Sequence, residues 1–265
     1  MNKFHPLPNL SGLVSRDSVQ KSKPSFRIKT VFFLLLLLSG SQLGKAVGSW
    51  STLSNPAPHN NEGVMLLLSD GRVMCKSDGG GGSGSIWDIL TPSTFLGSYL
   101  LGSWTSTTMN NDRRFFSTQV MKDGKVYICG GEYGAGGSSA EIYDPVANTF
   151  TNLPAPGGFV SDANSEILED GRILQAMVNG TLRTTKIYNP ASNTYTAGGT
   201  CNGIHNESTW VKLPDGTILM VDRLSTQSER YFPATNTWVN DGVVPVSLYD
   251  PYGDETGAGL FLPDG

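Results

Sequence analysis

Acidic side chains recur at one spacing in this chain. Counting back eight residues from successive Asp-Gly dipeptides gives Glu62, Phe115, Asp162, Glu207 and Thr256; counting back nine gives Asn61, Arg114, Ser161, Asn206 and Glu255. Glu62, Asp162 and Glu207 share a register, and Glu255 joins them if the last interval is one residue longer. If repetition aims these side chains at one point, their oxygens can ligate a hard cation such as calcium, accept hydrogen bonds from sugar hydroxyls, or hold an amine. The alternative is structural. Each carboxylate would accept bonds from nearby backbone amides and order the start of a strand, with Arg114 as counter-ion.

Other chemistry is sparsely represented. No Gly-x-Ser-x-Gly elbow and no Cys-x-x-Cys pair occurs. The Gly79 to Gly84 run resembles a phosphate loop in composition only, because no helix pattern follows it. Cys75 and Cys129 end equivalent strands and read as buried small apolar side chains, whereas Cys201, in a connecting loop, is expected to be the exposed one. His59 and His205 read as ordinary loop histidines, and Asn179-Gly180-Thr181 and Asn206-Glu207-Ser208 fit glycosylation acceptors.

The elements that must position the acids follow from the same repeat. Asp70-Gly71, Asp123-Gly124, Asp170-Gly171, Asp215-Gly216 and Asp264-Gly265 are separated by 53, 47, 45 and 49 residues. A period in this range means stacked supersecondary units. Apolar runs flank each dipeptide, as in Val64–Leu68 and Arg72–Met74, which predicts a hairpin with a type I′ turn. A second hairpin closes each unit. Tyr143, Tyr188 and Tyr231 are each followed by Pro two residues on, by Asn-Thr, and by an aromatic seven on: Phe150, Tyr195 and Trp238. These rings are expected in the apolar layer between neighbouring units. Ser49-Trp50-Ser51 copies Ser103-Trp104-Thr105, so Trp50 is expected on an orphan fourth strand that latches a ring of units.

These residues resemble the kelch repeat of β-propellers, a group that includes galactose oxidase-like domains. The second unit carries the resemblance best, with Ile128-Cys129-Gly130-Gly131, Tyr143 and Phe150. The third and fourth units lack the Gly pair, showing Met177-Val178-Asn179-Gly180 and Val221-Asp222 instead. The resemblance covers roughly residues 49 to 265. It implies an all-β propeller of four-stranded blades, here four full repeats and a partial one. In such a ring the acids open the innermost strands and converge on one mouth of the central channel. The resemblance also raises a copper radical oxidase. That chemistry needs a thioether-linked Cys–Tyr pair, a Tyr followed by His, and a further His. No Tyr-His dipeptide occurs, so copper would require ligands beyond residue 265.

Composition bounds the rest. Lys+Arg 19 against Asp+Glu 23 gives a net charge of −4, which argues against a nucleic-acid partner. Residues 1 to 48 read as a leader with a signal peptide: Lys21, Lys23, Arg27 and Lys29, then Val31 to Leu38, then Ala46-Val47-Gly48. The apolar core is shorter than the roughly 20 residues of a spanning helix, so membrane contact is expected only through an uncleaved leader. Because the sequence stops on a turn, it reads as truncated. The expectation is a secreted, noncatalytic module for a carbohydrate or a protein; the alternative is the copper oxidase.

Overall fold

The computed structural model describes residues 49–78, 84–178, 183–257 and 259–262, with Glu62 described in its backbone only. The expected leader, the Gly79–Gly82 run, the Asn179-Gly180-Thr181 acceptor and the last Asp-Gly lie outside the described residues. The strands belong to a compact unit, Ser51–Gly265; Ser49 and Trp50 fall in the other, Met1–Trp50.

Four antiparallel sheets of four strands each follow one another along the described chain. The first blade is β1 (Glu62–Leu67), β2 (Val73–Ser77), β3 (Ile86–Thr91) and β4 (Ser103–Thr108). A short β5 (Arg113–Arg114) precedes the second blade. That blade is β6 (Ser117–Val120), β7 (Val126–Cys129), β9 (Ala140–Asp144) and β10 (Thr149–Asn152), while β8 (Tyr133–Gly134) turns back to pair with β5. The third blade is β11 (Ser165–Ile167), β12 (Ile173–Ala176), β13 (Thr184–Asn189) and β14 (Thr194–Thr200). The fourth is β15 (Thr209–Lys212), β16 (Ile218–Val221), β17 (Gln227–Phe232) and β18 (Thr237–Val243). A separate ribbon, β19 (Tyr249–Asp250) with β20 (Glu255–Thr256), comes last. The architecture is that of an all-β blade-type propeller.

The Asp-Gly hairpins form where the spacing puts them, with a different turn. Only the glycine is left-handed, at φ 85, 84, 88 and 80 for Gly71, Gly124, Gly171 and Gly216. In the first blade Gly71 N donates to Leu68 O, and Leu68 N donates to Arg72 O. That is a type I turn closed by a glycine bulge, not a type I′ turn. The aspartate explains the difference. Its Oδ1 accepts the amide two residues on, at 3.0–3.1 Å, in all four hairpins, which keeps the aspartate out of the left-handed region.

The second hairpin has its own lock. Tyr143, Tyr188 and Tyr231 donate through their hydroxyls to the side-chain oxygens of Asn148, Asn193 and Asn236, at 2.9, 3.0 and 2.8 Å. Each of those asparagines is left-handed at φ 53. The tyrosines are buried, and each meets the aromatic across the hairpin at 4.8–5.3 Å between ring centres. Between the second and third blades Tyr127 stacks on Tyr188 at 5.4 Å, so the rings do fill the layer between units.

Trp50 is fully exposed and is not in a strand. Two expectations fail. Residues 259–262 form no strand before the last turn, without a paired neighbour among the described residues. Cys201 is buried rather than exposed, its Sγ 3.2 Å from His205 Nε2 and donating to Gly203 O. Burial, reinforced by the charge of Glu229, pushes the Cys201 thiol up to about 12. Burial drops His205 to about 4, so both groups are neutral.

Candidate functional site at the channel mouth

The recurring register marks a backbone position before it marks a charge. Phe115, Asp162 and Glu207 are all left-handed, at φ 51, 42 and 55. Each passes a peptide hydrogen bond to its equivalent in the next repeat. Asp162 N donates to Phe115 O at 3.2 Å, Glu207 N to Asp162 O at 2.8 Å, and Thr256 N to Glu207 O at 3.0 Å. The left-handed turn aims the carbonyl at the neighbouring repeat while the chain bends into the innermost strand. The ordering that sequence reasoning assigned to carboxylates is therefore carried by peptide groups here.

That frees the carboxylates to face the opening. A cavity of about 310 Å³ is lined by Phe115, Asp162, Asn164, Glu207, Thr209 and Glu255 among others. Burial, a hydrogen bond with Glu132, and the charges of Glu132, Glu207 and Glu255 push Asp162 up to about 8. Burial likewise raises Glu207; Arg223, its ion-pair partner, opposes the rise, and Glu132, Glu255 and Asp254 add to it. The charges of Glu207 and Glu255, from the next two repeats, thus reach Asp162, and that of Glu255 reaches Glu207. Glu132 joins them from the bend just before β8. No count from the Asp-Gly turns finds it, because among the described residues the β5–β8 ribbon occurs only in the second repeat.

The other two candidate residues stand apart. Glu62 opens β1 opposite Ser77, and its side chain lies outside the described residues. Arg114 turns toward Asp78, 3.6 Å away, and its guanidinium lies 4.6 Å from the Phe115 ring centre. The acid with a cation at the mouth is Glu207, and the cation is Arg223. Phe115 meets Tyr133 edge-on at 5.9 Å, with both rings half-exposed beside the acids. Among the described residues no three His, Cys, Asp or Glu side chains are placed to hold a metal ion.

Three blades also carry a buried carboxylate that sequence reasoning missed. Asp88, Glu141 and Glu229 sit in the third strand of their blades and hold the loop that leads into the same blade. Asp88 accepts the His59 amide at 3.1 Å, His59 Nδ1 at 3.0 Å and Ser106 Oγ at 2.6 Å. Glu141 accepts the Asn110 amide at 2.8 Å and the guanidinium of the fully buried Arg113. Glu229 accepts the amides of Asn202 and Gly203. The signal was present: Glu141-x-Tyr143 and Glu229-x-Tyr231 place an acid two residues before the repeat tyrosine. The third blade has Lys186 there.

Both described histidines are used by the fold. His59 belongs to the Asp88 clamp, and His205 packs between Trp210 and Trp238 at 5.2 and 5.4 Å. Cys129 lies buried with Tyr127 and Tyr195, whose hydroxyls are 3.0 Å apart, but neither imidazole joins them. These donors do not compose the copper set that the resemblance raised.

Comparison with known proteins agrees with the fold. Four-stranded blades around a shared mouth define a propeller. Residues 113–157, the second blade with its β5–β8 ribbon, match the Kelch motif. A solved structure of virginiamycin B lyase from Staphylococcus aureus, a catalytically inactive variant with quinupristin, is similar at a TM-score of 0.56 and 11% identity. The match covers 76% of this chain and 62% of that one, so the chain spans less than two thirds of the lyase. At that identity the likeness shows the fold alone. No curated protein matches the chain.

Proposed function

We propose that this chain is a noncatalytic binding module of kelch type that works outside the cytoplasm and takes its ligand at the channel mouth. The observation that carries the reading is the convergence of Asp162, Glu207 and Glu255 on one cavity beside the half-exposed Phe115 and Tyr133. Carboxylates without a full set of counter-ions accept hydrogen bonds from hydroxyls and amines, and the exposed rings offer flat apolar contact. A carbohydrate or a protein segment supplies both. The Kelch motif supports the protein class, because kelch repeats generally mediate protein interactions.

The experiment is a paired glycan and peptide array with the full chain and two variants, Glu255→Gln and Tyr133→Ala. Both side chains are exposed, so the fold should tolerate the changes. A ligand of the mouth should bind the variants at least ~10-fold more weakly, the scale of one lost charged contact. Ligands that bind both variants as well as the wild type would place recognition elsewhere.

A further inference from the structure

The turn between the third and fourth strands is short in three blades. It is Asp144 to Thr149, Asn189 to Thr194, and Phe232 to Thr237. The first blade departs from this. Its strands β3 and β4 are joined by Pro92-Ser93-Thr94-Phe95-Leu96-Gly97-Ser98-Tyr99-Leu100-Leu101-Gly102. No Asp, Glu, Lys, Arg or His occurs between Asp88 and Asp112. Phe95 is 66% exposed and Leu96 87%, and Leu100 and Leu101 are also exposed.

Local bonds build this prong. Ser93 N donates to Ser98 O at 2.9 Å, and Ser98 N to Phe95 O at 3.3 Å. The base is fixed as firmly: Tyr99 donates to Gly71 O at 2.6 Å, Ser54 N to Leu100 O at 2.9 Å, and Asn55 Nδ2 to Gly102 O at 2.7 Å. The tip turns on two left-handed residues, Leu96 at φ 57 and Gly97 at φ 63. The other three blades use asparagine for the left-handed place in this turn. Leucine is a poor residue there, because its Cβ crowds the backbone and no polar side chain bonds locally. The fold thus accepts local strain to hold a large apolar side chain in water, which points to a role away from the core.

We propose that this prong docks on the apolar interfacial layer of a lipid bilayer. The tip is exposed and uncharged, so it suits a soft apolar medium rather than an ionic surface. Hydroxyls of Thr91, Ser93, Thr94 and Ser98 along its flanks match the polar headgroup level. Because the loop has no cation, docking does not depend on anionic lipid.

The test uses the full chain and phosphatidylcholine vesicles. An environment-sensitive dye is attached through Leu96→Cys in one variant and Thr235→Cys, on the fourth blade's turn, in another; the native cysteines are buried. The dye at 96 should shift to the blue and be quenched by brominated lipid, and the dye at 235 should do neither. In flotation, Leu96→Asn should lose at least threefold of the bound fraction while melting no lower than wild type, since asparagine tolerates the left-handed backbone. Adding phosphatidylserine should change binding little. A dye at 96 that stays in water at saturating vesicles would overturn the proposal, as would Leu96→Asn floating like wild type. A strict need for phosphatidylserine, or a dye shift that appears on self-association without lipid, would also overturn it, the last in favour of a protein partner.

Discussion

Arg113 and Glu141 are both sealed from water, so each charge is held by the other and by nearby peptide groups, with the Ser139 hydroxyl also on Arg113. Removing one leaves the other uncompensated. Arg113→Met should lower stability by about 3–5 kcal/mol in chemical unfolding, and Arg113→Met with Glu141→Leu should recover most of that loss. If the double variant were as unstable as the single one, the pair would be acting through packing alone. Asp162 carries a pH dependence of unusual sign. Its folded value is about 8 against an ordinary 3.8, so the folded chain holds a proton that the unfolded chain has released. This contribution is largest below the ordinary value and is lost as pH rises toward 8. Asp162→Asn should therefore flatten the decline in melting temperature between about pH 4 and pH 8. An unchanged slope would mean that Asp162 titrates normally.

The tyrosine–asparagine lock belongs to the hairpin rather than to one residue. Asn193→Ala removes the acceptor of the Tyr188 hydroxyl and puts a Cβ without local bonding into a left-handed turn. The expected cost is about 1–3 kcal/mol, and Asn193→Gly should cost less because glycine keeps the backbone. Equal losses in urea titrations would leave the hydrogen bond as the whole effect. This is the level at which the sequence was most legible. Asp-Gly and Tyr-x-Pro…Asn-Thr are local chemistry, and local spacing reads it directly. The turn type escaped, because the aspartate's bond to the amide two residues on competes with the left-handed region that Asp-Gly suggests. The mouth was half legible. Counting back eight residues found Asp162 and Glu207, since a left-handed residue recurs there. The count did not find Glu132, which lies just before β8 of a ribbon that, among the described residues, only one repeat makes. It also did not find the peptide ladder, because backbone bonds leave no mark on residue type.

At the scale of the molecule, blades are sewn together on both faces. On the turn face Arg72 reaches Pro145 O and Lys122 reaches Glu169 O, each from one blade to the next, and Lys212 reaches back to Ile167 O of the preceding blade. On the mouth face the peptide ladder runs from Phe115 through Asp162 and Glu207 to Thr256. This second seam makes a single site from residues far apart in sequence, and the binding proposal depends on it. Carbon-detected NMR titration of the Asp162 carboxyl, in wild type and in Glu255→Gln, reads the seam directly. The account predicts a midpoint of about 8 that falls when Glu255, two repeats away, loses its charge. A midpoint near 4, or one that ignores Glu255, would show that the acids do not share a mouth.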